Sequence, residues 1–277
     1  MSNIGSDTSQ IRSNLRSYLR LIYLGMAKVV FDGKKQAERD AEFLEESERV
    51  LGKSLVIFQC DGRTDESAYV RLKKEMGERL GVMVNVDLRS QISDLREGIR
   101  EANEDETVDG ILVQLPILGA DKDELEQILS SINPEKDVDG LNPKSRFIPA
   151  VVRAVERLVE IFKITEDDKI ALVGDKGSVG IRLMERLKNL ELTVTGFDKE
   201  DDLQKLRSFE VIISATGVGG LITGDMVAEG FTGIDLGYPK GDFSPKAVAK
   251  ATLITPVPGG VGPMTIVALY ENLGDVV

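Results

Sequence analysis

The 277-residue sequence contains no histidine and no tryptophan, and it has a single cysteine, Cys60. Without histidine, the Ser-His-Asp and Cys-His modes of nucleophile activation and histidine-based zinc sites are excluded. One cysteine cannot form an internal disulfide, which is typical of a reducing compartment such as the cytoplasm. Any chemistry must therefore use Lys, Tyr, Asp, Glu, amide side chains or a bound cofactor.

Basic residues are also few for the size of the chain. Lys and Arg together number 35 against 47 Asp and Glu, which gives a net charge of -12. Nucleic-acid binding requires a basic surface, so we expect no nucleic-acid partner. No apolar run reaches the length of a membrane span, so we do not expect a membrane protein. Hydrophobic residues make up 42% and charged residues 30%, which indicates a folded chain with a sizeable core.

Strand-like and helix-like segments alternate along the chain, which predicts an α/β fold with parallel sheets. A proline-rich junction near residue 148 divides the pattern into two α/β domains. The predicted strands cover residues 54–60, 82–88, 109–115, 170–173, 192–197, 211–215, 233–236 and 253–255. The predicted helices cover residues 34–50, 65–80, 92–102, 125–132, 151–162 and 263–272, the last with Pro263 at its first position.

The first 28 residues differ from the rest in composition. Apolar residues recur at helical spacing over residues 11–26, and Arg12, Arg16 and Arg20 lie four apart on a neighbouring face. We interpret residues 1–28 as a helical extension that packs on the domain or on a partner subunit. An Arg-rich, Ser-rich and acid-poor segment is also typical of a removable transit peptide, so that alternative stays open.

A glycine-rich segment, Gly174–Gly180 (GDKGSVG), follows the strand at residues 170–173. A strand that runs through glycines into a helix can hold a pyrophosphate on backbone N–H groups and the helix N-terminus. The spacing is G-x-x-G-x-x-G instead of G-x-G-x-x-G, and a tight turn without a ligand is the alternative. Thr216 and Gly217 follow a later strand, where a ligand can approach closely.

Asp198 stands 24 residues beyond Gly174, at the end of the next strand. An acid at that place in a dinucleotide fold binds the ribose hydroxyls. Asp198 and Asp175 would repel a 2′-phosphate, which favours NAD over NADP. Lys176 and Lys199 weaken that preference, because either could form a salt bridge with a phosphate.

Tyr69 and Lys73 are four residues apart on one predicted helix, so they share a face. Such a pair can hold an ammonium group and a phenol over one reaction centre. The simpler alternative is that Tyr69 packs in the core and Lys73 points into solvent. Gln114 ends an apolar strand, where its amide is either a structural tie or a ligand contact. Residues 255–262 contain two prolines and three glycines, which indicates either a rigid loop shaped around a ligand or a plain turn.

Taken together, these segments resemble the methylenetetrahydrofolate dehydrogenase/methenyltetrahydrofolate cyclohydrolase family. Three strings carry the resemblance directly: DGILVQLPI, PEKDVDGLNP and TPVPGGVGPMT. A fourth, SAYVRLK, is similar to the family's Ser-x-x-Tyr-Val-x-x-Lys helix. A fifth, GDKGSVG, takes the place of the family's Gly-Arg-Ser-x-x-Val-Gly turn. The similarity runs from about Phe31 to the C-terminus. Departures are Asp175-Lys176 for Arg-Ser, Phe197-Asp198-Lys199 for Cys-His-Ser, and a shortened segment before Pro149.

The resemblance implies a folate cleft between a catalytic domain (residues 29–148, completed by a C-terminal helix at 263–277) and a Rossmann-like NAD(P)-binding domain (residues 149–262). It implies that Lys73 is the family lysine, oriented by Tyr69 and Gln114, and that Asp139 binds the pterin. Folate-lining residues would be Val113, Leu115, Pro258, Gly259 and Gly260. Cofactor-binding residues would be Gly174, Asp175, Lys176, Val179, Gly180, Asp198, Lys199, Thr216, Gly217 and Tyr238.

The function that the resemblance implies is oxidation of 5,10-methylenetetrahydrofolate with NAD or NADP, followed by hydrolysis of the methenyl product. We expect a cytoplasmic homodimer that binds tetrahydrofolate derivatives. Two alternatives remain: a monofunctional NAD-dependent dehydrogenase, and a non-catalytic folate- or nucleotide-binding module. The combination of Tyr69, Lys73, Gln114 and Asp139 argues against the first of these, because a pure dehydrogenase has no need of the lysine.

Overall fold

The computed structural model describes residues 29–276, which form two compact units. The three-stranded unit comprises residues 32–163 and 259–276, and the six-stranded unit comprises residues 29–31 and 164–258. The helix predicted at residues 11–26 lies outside the described residues. Within them, no helix is both long and apolar enough to cross a membrane.

The observed elements follow the predicted alternation closely. The strands are β1 Val29–Val30, β2 Ser54–Gln59, β3 Met83–Leu88, β4 Gly110–Gln114, β5 Ile170–Val173, β6 Val194–Phe197, β7 Val211–Ser214, β8 Thr232–Asp235 and β9 Leu253–Ile254. The α-helices are α1 Gly33–Glu46, α2 Ala68–Arg79, α3 Ile92–Glu104, α4 Lys122–Ser130, α5 Ala150–Ile161, α6 Ser178–Asn189, α7 Pro245–Lys250 and α8 Val261–Gly274. A 3-10 helix spans Leu203–Ser208.

In the three-stranded unit, all strands are parallel and their order is β3-β2-β4. β2 is the central strand, and it is apolar and buried along almost its whole length, as expected for a parallel strand covered on both faces. The register places Gln59 opposite both Leu88 and Gln114. The carboxyl ends of the three strands therefore lie at the same edge of the sheet.

Helix α8 runs through the interior of the three-stranded unit. Its residues are buried on nearly every side, and it packs against α1, α2 and α5. A helix that is apolar all round is a core helix. It begins at Val261, so the prediction that Pro263 is its first residue is wrong. Pro263 is the third residue, where proline is still tolerated because the N–H groups of the first turn have no helical partner.

The six-stranded unit is a parallel sheet with the strand order β1-β9-β8-β7-β5-β6. β5 lies between β6 and β7. The chain therefore passes from β5 to β6 on one side and then crosses back to β7 on the other side. In doubly wound sheets, ligands bind outside the carboxyl ends of the strands at this switch point. The residues after β5 and β7 therefore form the expected place for a dinucleotide.

The division between the units differs from the predicted domain boundaries in two places. α5, assigned from the sequence to the NAD(P)-binding domain, lies in the three-stranded unit because its buried face packs against α8. Residues 29–31, assigned to the catalytic domain, belong to the six-stranded unit because β1 pairs with β9. Both differences arise from tertiary packing, which the local sequence pattern does not encode.

Candidate active site and dinucleotide site

The start of α2 is fixed by polar contacts that set the direction of the helix. The hydroxyl of Ser67 accepts a hydrogen bond from the N–H of Val70, which makes Ser67 the N-cap. Ser67 precedes Tyr69 by two residues, where the family pattern has three. The buried Gln59 at the end of β2 accepts from the N–H of Ser67 and donates to the carbonyl of Asp65. This role of Gln59 was not predicted from the sequence, although a polar residue at the end of a buried strand is a signal for it.

Lys73 projects from α2 into a buried polar site. The residue is 4% exposed, and its Nζ lies 3.0 Å from Oε1 of Gln114. The ammonium group also lies over the ring of Tyr69, 4.8 Å from its centroid, which is within cation–π range. The amide of Gln114 donates to the carbonyl of Leu115, so its oxygen is turned toward the lysine. The structure thus brings Tyr69, Lys73 and Gln114 together.

Asp139 completes the electrostatics of this site. Burial lowers the pKa of Lys73, and the negative charge of Asp139 opposes that effect. Burial also raises the pKa of Asp139, and the charge of Lys73 opposes it in turn. Desolvation disfavours the charged form of each group. The site therefore holds an amine that loses its proton more readily than a lysine in water.

The turn that carries Asp139 is held by several hydrogen bonds. Asn272, which is fully buried on α8, donates to the carbonyls of Val138 and Ile148, both at 2.9 Å. The carbonyl of Asp139 accepts from the N–H of Ala150. The buried Asp137 accepts from the N–H of Asn142 at 2.7 Å. These bonds define the position of the Asp139 backbone, and none of the partners was predicted from the sequence.

The glycine loop before α8 contacts the same part of the three-stranded unit. A Cβ added at Gly33 would lie 2.0 Å from the carbonyl oxygen of Gly260, so α1 begins in close contact with this loop. Gly259 has a φ of 99°, a conformation that favours glycine. The hydroxyl of Tyr69 donates to the carbonyl of Gly262. Gly259 and Gly260 are therefore tied to the unit that carries Lys73.

Two of the predicted folate-lining side chains differ in accessibility. Leu115 is 37% exposed, directly after Gln114. Val113 is 1% exposed and lies in an apolar cluster with Phe58 and Ile111. The prediction that the Val113 side chain lines an open slot is therefore wrong, because side chains alternate across a strand and this one points into the core. Pro258 is exposed at the end of the six-stranded unit.

The glycine turn after β5 has the geometry of a phosphate-binding turn. Gly174 has a φ of 88°, and an added Cβ would lie 2.8 Å from the carbonyl oxygen of Ala215. A Cβ at Gly180 would lie 2.0 Å from the carbonyl oxygen of Gly174, so α6 and the turn approach each other closely. No side chain caps the N-terminus of α6 at Gly177. Its N–H groups fit a pyrophosphate, with Val179 in the first turn.

Carboxylates surround the end of β6. The side chain of Asp175 lies over Gly196, where an added Cβ would be 2.0 Å from its Oδ2. Asp198 follows β6 directly, accepts from the N–H of Lys199, and has its Oδ2 3.9 Å from Nζ of Lys176. Asp198 and Lys176 therefore form a salt bridge.

A buried carboxylate shapes the loop after β7. Oδ2 of Asp242 accepts from the hydroxyls of Ser214 and Thr216 and from the N–H groups of Thr216 and Gly217, at 2.7 to 3.3 Å. Asp242 is fully buried. Thr216 and Gly217 were predicted, but Asp242 was missed because it lies far along the chain. Tyr238, also predicted, is 69% exposed.

The geometry defines a class of protein: a two-unit α/β enzyme with a dinucleotide-type sheet and a buried lysine–amide site. Family models match two ranges of the chain, the catalytic domain of tetrahydrofolate dehydrogenase/cyclohydrolase over residues 29–139 and the NAD(P)-binding domain of the same family over residues 149–277. The second match begins at the boundary that the sequence predicted, although α5 packs with the three-stranded unit.

Individual proteins agree with the family models. The bifunctional protein FolD of Methanospirillum hungatei is 36% identical over 272 residues, which cover 90% of this chain and 97% of that protein. A methylenetetrahydrofolate dehydrogenase from the silkworm, Bombyx mori, has a TM-score of 0.81 and 30% identity, covering 91% and 98% of the two chains. The Trypanosoma brucei dehydrogenase-cyclohydrolase, solved with NADP and an inhibitor, has a TM-score of 0.79 and 27% identity, covering 90% and 97%. The chain belongs to the tetrahydrofolate dehydrogenase/cyclohydrolase family.

Proposed function

We propose that Lys73 is the acid/base residue of a bifunctional folate enzyme. The chain oxidises 5,10-methylenetetrahydrofolate to 5,10-methenyltetrahydrofolate with NAD(P)+, and it hydrolyses that product to 10-formyltetrahydrofolate. The observation that carries the role of Lys73 is its burial beside Gln114, with Asp139 close enough to alter its pKa.

The oxidation needs no protein base. The methylene carbon between N5 and N10 loses a hydride, and both nitrogens stabilise the resulting amidinium cation. NAD(P)+ supplies the hydride acceptor when it is bound. The protein contributes position, because holding both reactants in place removes much of the entropic barrier. A chain without histidine is therefore competent for this step.

The hydrolysis does need proton transfers, and Lys73 is placed to make them. A neutral Lys73 amine takes a proton from water as the oxygen attacks the methenyl carbon. The bond between that carbon and N5 then breaks as the carbinol hydroxyl releases its proton to solvent, which leaves a formyl group on N10. N5 receives the proton that the lysine took from water. The lowered pKa of Lys73 increases the fraction of neutral amine at physiological pH. Gln114 fixes the direction of the amine, and the Tyr69 ring stabilises it when it is protonated.

The remaining site residues bind the folate. Asp139 is proposed to accept hydrogen bonds from the pterin, since its carboxylate is held in a defined turn beside Lys73. Leu115, Gly259, Gly260 and Pro258 are proposed to contact the ring system. Val113 would contribute only its backbone, because its side chain is in the core.

We further propose that NAD is preferred over NADP. Asp175 and Asp198 place negative charge near the end of β6, and the interaction of Lys176 with Asp198 reduces what that lysine offers to a 2′-phosphate. The related trypanosomal protein was solved with NADP, so the proposed preference for NAD is not taken from that relative and rests on Asp175 and Asp198 of this chain. A homodimer stays a prediction that analytical ultracentrifugation tests.

The Lys73→Met variant tests the central assignment. General acid–base catalysis contributes about 10²–10⁴-fold, so we expect cyclohydrolase turnover to fall by at least about 100-fold. Dehydrogenase turnover, measured by absorbance of the methenyl product, should stay within a few-fold of wild type. Lys74→Met is the matched control, because Lys74 lies on the same helix but pairs with Glu66.

Three outcomes separate the candidate functions. Full cyclohydrolase turnover in Lys73→Met would refute the role of Lys73. A wild-type protein that oxidises the folate but does not hydrolyse methenyltetrahydrofolate would be the monofunctional dehydrogenase. Folate or nucleotide binding without turnover would indicate a binding module.

A further inference from the structure

Tyr270, on the last helix, contacts the backbone of the proposed catalytic lysine. Its side chain is fully buried, and its hydroxyl donates a hydrogen bond to the carbonyl oxygen of Lys73. The two residues are 197 positions apart in the chain. Neither the sequence motifs nor the proposed reaction assigns a role to this tyrosine.

The contact is built into α2. A Cβ added at Gly77 would lie 2.4 Å from the Tyr270 hydroxyl oxygen and 2.4 Å from a methyl group of Val84. Glycine at this position therefore lets the phenol approach the helix backbone. Burial raises the pKa of Tyr270, and a backbone hydrogen bond from Gly77 opposes that effect. The hydroxyl thus stays protonated and connects Lys73 to Gly77, which are four residues apart.

This hydrogen bond connects the α2 backbone at Lys73 to α8. The side chain of Lys73 donates to Oε1 of Gln114, which belongs to β4, while its backbone carbonyl accepts from Tyr270 on α8. α8 is a rigid reference, because it is buried on nearly every side. Catalytic groups lose activity when they move by a fraction of an ångström, and residues behind them supply that precision.

We propose that Tyr270 is a positioning residue for the cyclohydrolase reaction, acting through the backbone of Lys73. This inference rests on the proposed function of Lys73. Hydride transfer uses no lysine, so the placement of Lys73 affects only the hydrolysis. Tyr270 therefore sets the ratio of the two activities.

The test is the Tyr270→Phe variant, which removes only the hydroxyl. We expect the cyclohydrolase kcat to fall about 3–10-fold, while the dehydrogenase kcat stays within twofold of wild type. Both values are measured on the same preparation at saturating substrate, so their ratio does not depend on the folded fraction. Thr265→Val is the matched control, because it removes a hydroxyl of α8 that bonds only within that helix.

An unchanged ratio, or an equal fall of both activities, overturns the inference. If Tyr270→Phe cannot be purified, Gly77→Ala perturbs the same contact from α2 and carries the same expectation. The Lys73→Met variant separates a failure of the Tyr270 role from a failure of the Lys73 role. Loss of hydrolysis in that variant with an unchanged ratio in Tyr270→Phe removes only the role of Tyr270. Retained hydrolysis in Lys73→Met removes the proposed function itself.

Discussion

The stability of the turn around Asp139 depends on pH through its neighbour Asp137. Asp137 is 1% exposed, and one of its carboxylate oxygens has no hydrogen-bond partner among the described residues. Burial raises its pKa from 3.8 to about 6. The folded state therefore binds this proton more tightly than the unfolded state, so the carboxylate destabilises the fold above pH 6. That cost is relieved as the pH falls from 6 toward 3.8.

The size of the effect follows from the shift. About two pKa units correspond to about 3 kcal/mol at 1.36 kcal/mol per unit. Between about pH 7.5 and pH 5.0, linkage gives a gain of about 1.4 kcal/mol in the wild type from this residue alone. Asp137→Asn is neutral at both pH values and lacks this gain. Other titrating groups are shared by the two proteins, so they cancel in the difference.

The assay is urea unfolding of both proteins at the two pH values, followed by circular dichroism and tyrosine fluorescence. We expect the variant's free energy of unfolding, relative to wild type, to decrease by about 1.4 kcal/mol on going from pH 7.5 to pH 5.0. Asp123→Asn is the control, since Asp123 is exposed on α4 and should track the wild type. Identical pH dependence for Asp137→Asn and wild type would show that Asp137 is not held as the structure indicates.

Two further predictions concern the six-stranded unit. Asp198→Ser should raise kcat/KM for NADP relative to NAD by about tenfold, because it removes a charge near the 2′-position and releases Lys176; equal selectivity in variant and wild type would contradict the assignment. Asp242→Ala should raise the KM for the dinucleotide by about tenfold or more, because the loop at Thr216 and Gly217 loses its shared acceptor. Hydrolysis of supplied methenyltetrahydrofolate needs no dinucleotide and should persist in Asp242→Ala, so parallel loss of both activities would argue against a local role.

The sequence predicts the strands well because they are short apolar runs in parallel sheets. β5 was placed with the same bounds that the structure shows. β1 was missed because a two-residue strand has no periodicity, and its identity comes only from pairing with β9. α7 and the 3-10 helix are likewise too short to produce a clear pattern. The side of the boundary on which α5 packs depends on its contact with α8, which no local signal contains.

The site residues likewise divide into those with a local sequence signal and those that are set by contacts between distant segments. The spacing of Tyr69 and Lys73 on one helix, and the polar Gln114 at a strand end, make these residues candidates, and the family resemblance assigns them to the site. Asn272, Tyr270 and the other supporting residues act across long sequence separations, through backbone carbonyls that any residue type provides. A polar residue within an apolar helix is their only trace in the sequence, and it does not say which partner it meets.

The path of the chain has a consequence for how the protein is made. The three-stranded unit is assembled from residues 32–163 and from the segment that follows residue 258, whereas the six-stranded unit takes nearly all its residues from one continuous stretch. During synthesis, the nucleotide-type sheet has emerged in full before α8 leaves the ribosome. Most of the unit that contains Lys73 is translated first, yet its core can be completed only after α8 has been synthesised.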